Sequence, residues 1–156
     1  MNDAAKSAFM EEALKFAREA FDDGEVPIGA VVVRDGKVIA GGRNRRENGK
    51  NALYHAELEA IDNACKALGG WRLPRCDLFV TLEPCPMCAG AIINSRIENV
   101  YFGAYDKKAG SVGSLVNLFD LPYNHKPSFE GGVEEEKCAA ILSEFFALLR
   151  IKKKNT

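Results

Sequence analysis

Apolar positions first recur at helical spacing. Ala5, Phe9, Ala13, Phe16 or Ala17, and Ala20 stand on one stripe with charges between them, which predicts a helix over about residues 5–21. DDGEVP, with its glycine and proline, ends it. The period then changes. IGAVVV and KVIAGG flank RDG, and Asp35-Gly36 between two apolar runs predicts a hairpin. RNRRENGKNAL is polar and turn-rich, a loop. HAELEAIDNACKAL returns to helical spacing through Ala56, Ala60, Ala64 or Cys65, and Leu68, and Gly69-Gly70 stop it. DLFVTL is a short strand. EPCPMCAGAIINS follows as a third helix, with Pro84 at its start, where helices tolerate proline. NVYFGAY is another strand, DKKAGSVGS a glycine-bearing loop and LVNLF a short helical candidate. DLPYNHKPSFEGGV is irregular, and Ala139, Leu142, Phe145 or Phe146, and Leu149 mark a last helix from Glu134 to about Lys152.

Helices that follow successive strands imply an α/β fold with a mixed sheet covered on both faces. At 156 residues, without internal repeat, linker or low-complexity segment, the chain reads as one domain spanning 1–156.

Composition narrows the class. Apolar residues make up 47 % and charged residues 28 %, a globular balance. No apolar run approaches the roughly 18 residues of a membrane span. The acidic N-terminal stretch lacks the basic start and apolar centre of a signal peptide, so a cytoplasmic protein with no membrane partner is expected. Five cysteines, an odd number, exclude a complete disulfide framework. Cys65, Cys76 and Cys138 stand among apolar neighbours as small core residues, whereas Cys85 and Cys88 have a metal-ligand spacing. A net charge of -1 gives no hint of a nucleic-acid partner, but Arg43, Arg45, Arg46 and Lys50 crowd one segment and Arg150, Lys152, Lys153 and Lys154 another. Such runs are more often solvated faces than phosphate contacts, though either patch could touch phosphate.

The candidate chemistry lies in two short stretches. YHAELEA contains one of only two histidines, and TLEPCPMCAG follows about thirty residues later. A catalytic zinc takes three protein ligands and keeps one position for water. Cys85 and Cys88 meet at one helix start, where N–H groups and the dipole favour thiolates, and His55 opens the other helix. Glu57 separates catalysis from structure, because a hydrolytic site needs a group to take a proton and a structural site does not. Positions i and i+2 of a regular helix diverge, so His55 and Glu57 share a site only if the helix begins at His55.

H-A-E followed by P-C-P-M-C is identified as the signature of the zinc-dependent nucleobase deaminases. GEVPIGAVVV, GGRNR, WRL, TLEPCPMCAGAIINSRI and VYFGAYDKKAGSVGSL, in this order, resemble the bacterial tRNA adenosine deaminases, from about Phe9 to Arg150. The resemblance implies a three-layer α/β/α sandwich with a mixed five-stranded sheet, cytidine deaminase-like. It implies one Zn2+ per subunit on His55, Cys85 and Cys88, with Glu57 as proton shuttle. It also implies base contacts from Asn44 and the Ala56 N–H, pocket walls from Ile28 and Leu82, and shaping by Glu83 and Pro84. Asp106 and Asn124 match residues near the flipped nucleotide. The implied substrate is the wobble adenosine of a tRNA anticodon stem-loop, deaminated to inosine by a homodimer, with Arg150, Lys152 and Lys153 available to the stem.

One departure stands beside the metal ligand. The family carries Asp-Pro-Thr-Ala before the histidine, and this chain has Asn51 to Tyr54, NALY. The Tyr54 ring packs into the core or reshapes the pocket rim. A deaminase of free bases or nucleosides would keep the same zinc site, and a binding module with structural zinc would need a fourth ligand from His125, Cys65, Cys76 or Cys138.

Overall fold

The computed structural model describes residues 1–155. Helix α1, Asp3–Asp22, is capped by Asn2, whose Oδ1 accepts from the Ala5 N–H at 2.8 Å. Strands β1, Gly29–Arg34, and β2, Lys37–Arg43, form the expected hairpin. Asp35 and Gly36 both take positive φ, 50° and 75°, which matches a two-residue turn to the twist of the strands. Helix α2 is Ala56–Leu68, closed by Gly69 in the left-handed conformation. Strand β3 is Cys76–Leu82, α3 is Pro86–Ser95, β4 is Asn99–Ala104, β5 is Ser128–Glu130 and α4 is Glu135–Lys154.

The sheet order is β2-β1-β3-β4-β5. β1 is antiparallel to both of its neighbours, whereas β3, β4 and β5 run parallel, so the sheet is mixed and five-stranded as expected. Both faces are covered, which is why β1 is buried from Gly29 through Val33 instead of alternating. Ala30, Val32, Leu78, Val80, Val100 and Phe102 form one core with α2 and α3. Val31, Val33 and Phe79 form the other with Met10 and Ala13 of α1 and Cys138 of α4. Among the described residues no helix is long and apolar enough to cross a membrane.

Several sequence expectations shift. Pro86, not Pro84, occupies the first turn of α3, because Cys85 is the capping residue. β5 lies within the stretch read as irregular. Its three residues are exposed and pair with β4 alone, too short for a period of two to register. The helical candidate at 115–119 is instead a single 3-10 turn, Leu118–Asp120, capped by the Asn117 side chain. Cys76 and Cys138 are buried, but Cys65 is only partly so. Phe145 packs edge-on against Phe21 at 5.6 Å, while Phe146 faces outward.

Candidate active site

Helices α2 and α3 lie on the same face of the sheet and bring their amino ends together beside the carboxyl end of β3. His55 and Cys85 are the capping residues of these helices, with extended backbone, and Cys88 lies in the first turn of α3. The His55 Nδ1 stands 3.6 Å from the sulfur of Cys85 and 3.6 Å from that of Cys88. Zinc bonds of about 2.0 Å to nitrogen and 2.3 Å to sulfur, at tetrahedral angles, put such atoms about 3.6 Å apart. Both nitrogen–sulfur distances therefore suit a zinc ion, and all three donor atoms lie within 4.8 Å of one another. His55, Cys85 and Cys88 are the only group of three or more such donors among the described residues. His125 is engaged elsewhere, with its Nε2 at 2.6 Å from the Ile97 carbonyl oxygen. The fourth ligand that a closed structural site requires is missing from the cluster.

The charges are tightly coupled. Cys85 is held as a thiolate, its pKa drawn down to about 4 by the hydrogen bond from the Cys88 thiol and then by His55, against the effect of burial. Cys88 is correspondingly pushed up, because it donates to that thiolate and is buried. The bond to Cys85 raises His55, and the Glu57 charge adds to it. Burial lifts Glu57 to about 7, with the Cys85 charge reinforcing it. With a relative exposure of 4 %, Glu57 is a carboxyl poised to exchange a proton near neutral pH. Its place in the first turn of α2 removes the i, i+2 objection, since the capping residue before it is not helical.

A cavity of about 180 Å³ opens over these groups. That is small beside typical ligand pockets of about 300–1,000 Å³, and suits one flat heterocycle. Ile28, Leu82, Asn44, Glu83 and Asp106 are among the residues that line it. Asn44 is fixed from both ends: its Nδ2 donates to the Val26 carbonyl at 3.2 Å, and its Oδ1 accepts from the Arg46 N–H at 3.1 Å. Asp106 both faces the cavity and starts a turn, since its Oδ1 accepts from the N–H groups of Lys108 and Ala109. Glu83 is spent on the protein itself. Burial raises its pKa, but donors from Ser114, Asp106 and Val112 outweigh that and hold it below the usual carboxylate value.

Other expected residues stand apart from the cavity. Ala56 and Pro84 are buried but outside its lining, and Asn124 is exposed and also outside it. Arg150 and Lys153 line a separate groove with Lys108, Phe146 and Leu149, while Lys152 is exposed on α4. Sequence reasoning missed Val26 and Ala109 and did not place Arg46 in the lining. Val26 and Ala109 carry no chemical signal, since any apolar residue serves there. Tyr54 enters neither the core nor the lining. The residue is 38 % exposed, and its ring lies against Gly49 and carries the Arg45 guanidinium over its face at 5.1 Å.

Comparison with known proteins agrees with this geometry. Residues 4–150 match the family model described as MafB19-like deaminase. The tRNA-specific adenosine deaminase of Bacillus subtilis (strain 168) is 53 % identical over 147 residues, 94 % of this chain and 91 % of that protein. A solved structure described as a tRNA:A34 deaminase, editing A to I at the wobble position of transfer RNA, superposes with a TM-score of 0.83. It is 50 % identical, and the match covers 86 % of this chain and 98 % of that one. A guanine deaminase structure from Bacillus subtilis matches less well, at 36 % identity and a TM-score of 0.63, covering 83 % and 85 %. Matched along nearly its whole length, this chain belongs to the MafB19-like deaminase family, together with the tRNA-specific adenosine deaminases to which it aligns.

Proposed function

We propose that this protein is a zinc-dependent hydrolytic deaminase that converts the wobble adenosine of a tRNA anticodon loop to inosine. The reaction takes one water and releases one ammonia. The observation that carries this reading is the buried Glu57 beside a three-donor cluster that opens into a cavity sized for a single base.

His55, Cys85 and Cys88 would hold a zinc ion, which would act as a Lewis acid and lower the pKa of a bound water to about 7. Glu57 takes the proton that water gives up and passes it to N1 of the purine, which makes C6 electrophilic. The remaining hydroxyl oxygen bonds to C6. As the C6–N bond breaks, Glu57 carries the proton of that hydroxyl to the departing amine, which leaves as ammonia, and the oxygen stays as the C6 carbonyl of inosine. Asn44 keeps one amide hydrogen and one lone pair beyond its two backbone contacts, enough to orient the base. Ile28 and Leu82 enclose the ring and exclude water, which strengthens these contacts.

A base in a stacked loop cannot reach this cavity, so the nucleotide is splayed out. Asp106, in the cavity lining, serves the backbone of the substrate, and Asn124 contacts the flipped nucleotide. Arg150, Lys152 and Lys153 offer positive charge to the stem. The homodimer expected of this family has material in Leu53, Trp71, Leu115 and Tyr123, large apolar side chains left exposed on one copy. The substrate places the enzyme in the cytoplasm, acting as one domain.

Ammonia release from an anticodon stem-loop, measured beside free guanine, cytosine, adenine and their nucleosides, tests the reading. Turnover of the stem-loop alone is expected. Turnover of a free base alone would keep the zinc chemistry and overturn the substrate.

A further inference from the structure

Two loops form the mouth of the cavity, and each is tied down by a buried glutamate. On one side, residues 44–55 run from β2 to the start of α2 and carry Asn44 and Arg46. Glu25, 1 % exposed, reaches this loop from the end of α1: its Oε1 accepts from the Glu47 N–H at 3.0 Å and its Oε2 from the Asn48 N–H at 2.7 Å. On the other side, residues 105–117 follow β4 and carry Asp106 and Ala109. Glu83, 2 % exposed, accepts there from the N–H groups of Asp106 at 3.0 Å, Val112 at 3.1 Å and Ser114 at 3.0 Å, and from the Ser114 hydroxyl. The approach is close enough that a Cβ at Gly110 would lie 2.5 Å from Glu83 Oε1.

Both loops are built of turns, with one β-bridge between Val112 and Asn117. The N–H groups of Glu47, Asn48, Asp106, Val112 and Ser114 go instead to the two carboxylates, neither of which has a cationic partner among its hydrogen bonds to the described residues. Charge-assisted bonds of this kind are the strong class, and several on one carboxylate fix a loop's path. We propose that Glu25 and Glu83 are a matched pair of positioning residues, which preform the two rims of the cavity so that the splayed nucleotide meets Asn44 and Asp106 already in place. This rests on the RNA-deaminase reading above. His55, Glu57, Cys85 and Cys88 are held by the two helix starts, so loosening a rim weakens capture of the nucleotide more than the chemistry that follows.

The test uses Glu25→Gln and Glu83→Gln in the zinc-loaded full chain. Each keeps the shape but turns one acceptor oxygen into an NH2 that faces a backbone N–H. Three quantities are read: zinc content, kcat and KM on an anticodon stem-loop, and amide hydrogen exchange in each loop. The expected result is one zinc per chain, KM raised about tenfold or more with kcat changed less, and faster exchange confined to the matching loop. That is Glu47 and Asn48 for Glu25→Gln, and Asp106, Val112 and Ser114 for Glu83→Gln. Glu83→Asp and Glu25→Asp, which keep the charge, are expected to recover part of the KM. Unchanged exchange and KM would overturn the proposal, as would parallel loss of zinc and kcat. If Glu83→Gln does not fold, Ser114→Ala removes one donor from the same clamp and is read in the same way. A wild-type enzyme inactive on the stem-loop would sink the RNA reading instead, and the exchange data would still judge the clamps.

Discussion

At the scale of single residues, the site is a problem of proton ownership. Cys88 and His55 are both pushed upward, and each must give up any proton it holds before it binds a metal. Cys85, drawn down to about 4, has already lost its own above about pH 5. Zinc affinity is therefore expected to rise with pH, by about tenfold per unit where Cys88 alone releases a proton and more steeply below the raised pKa of His55, where that ring releases one as well. Calorimetry in buffers of different ionisation enthalpy counts those protons; a pH-independent affinity between 6 and 8 would contradict the assignment. Glu57→Gln keeps shape but not basicity. It is expected to retain zinc and to lose about 10²–10⁴ in kcat, the usual contribution of a general base, and metal analysis alongside single-turnover rates checks both halves. The grouping of His55, Cys85 and Cys88, with Glu57 beside them, was legible in the sequence because rare residue types stood at telling intervals. The roles of Glu25 and Glu83 were not, because a carboxylate that binds backbone N–H groups leaves no motif.

Among the elements, two glycines set how closely helices approach the sheet. A Cβ at Gly42 of β2 would fall 2.6 Å from the Ala56 carbonyl oxygen and 2.6 Å from the Ala60 nitrogen, so α2 rests directly on the strand. Gly42→Ala is expected to cost about 1–3 kcal/mol by overpacking. It should also weaken zinc binding, since the displaced helix carries His55, and urea denaturation with metal titration tests the pair. On β4, a Cβ at Gly103 would meet Cys138 of α4 and come 2.9 Å from the Thr81 carbonyl oxygen. Gly103→Ala should lose similar stability while leaving zinc affinity unchanged, as α4 holds no ligand. Helices α1, α2 and α4 were readable because their periods ran for several turns, with glycines just past the ends of α1 and α2, and the hairpin because Asp35-Gly36 stood between two apolar runs. β5 and the start of α3 were not. A three-residue exposed strand has no pattern, and two prolines flanking Cys85 left the helix start open until capping geometry fixed it at Pro86.

At the scale of the whole molecule, charge is unevenly placed. A protein of net charge -1 attracts no polyanion in bulk, so the proposed capture of RNA would fall to local clusters such as Arg150 and Lys152 at the end of α4. Arg150→Ala is expected to weaken stem-loop binding and to reduce the slope of log affinity against log salt by about one, measured by fluorescence anisotropy from 50 to about 200 mM salt. Sedimentation or mass photometry giving a single chain mass would exclude the homodimer. The metal also has a consequence for the chain as a polymer. His55 and Cys85 are 30 residues apart, with α2 and β3 between them. A zinc ion joining them closes a ring through the centre of the sheet, as a disulfide would. A cross-link of that span removes about 3–4 kcal/mol of unfolded-chain entropy. The melting temperature should then climb with free zinc and drop on chelation, even in a Glu57→Gln protein that turns over nothing.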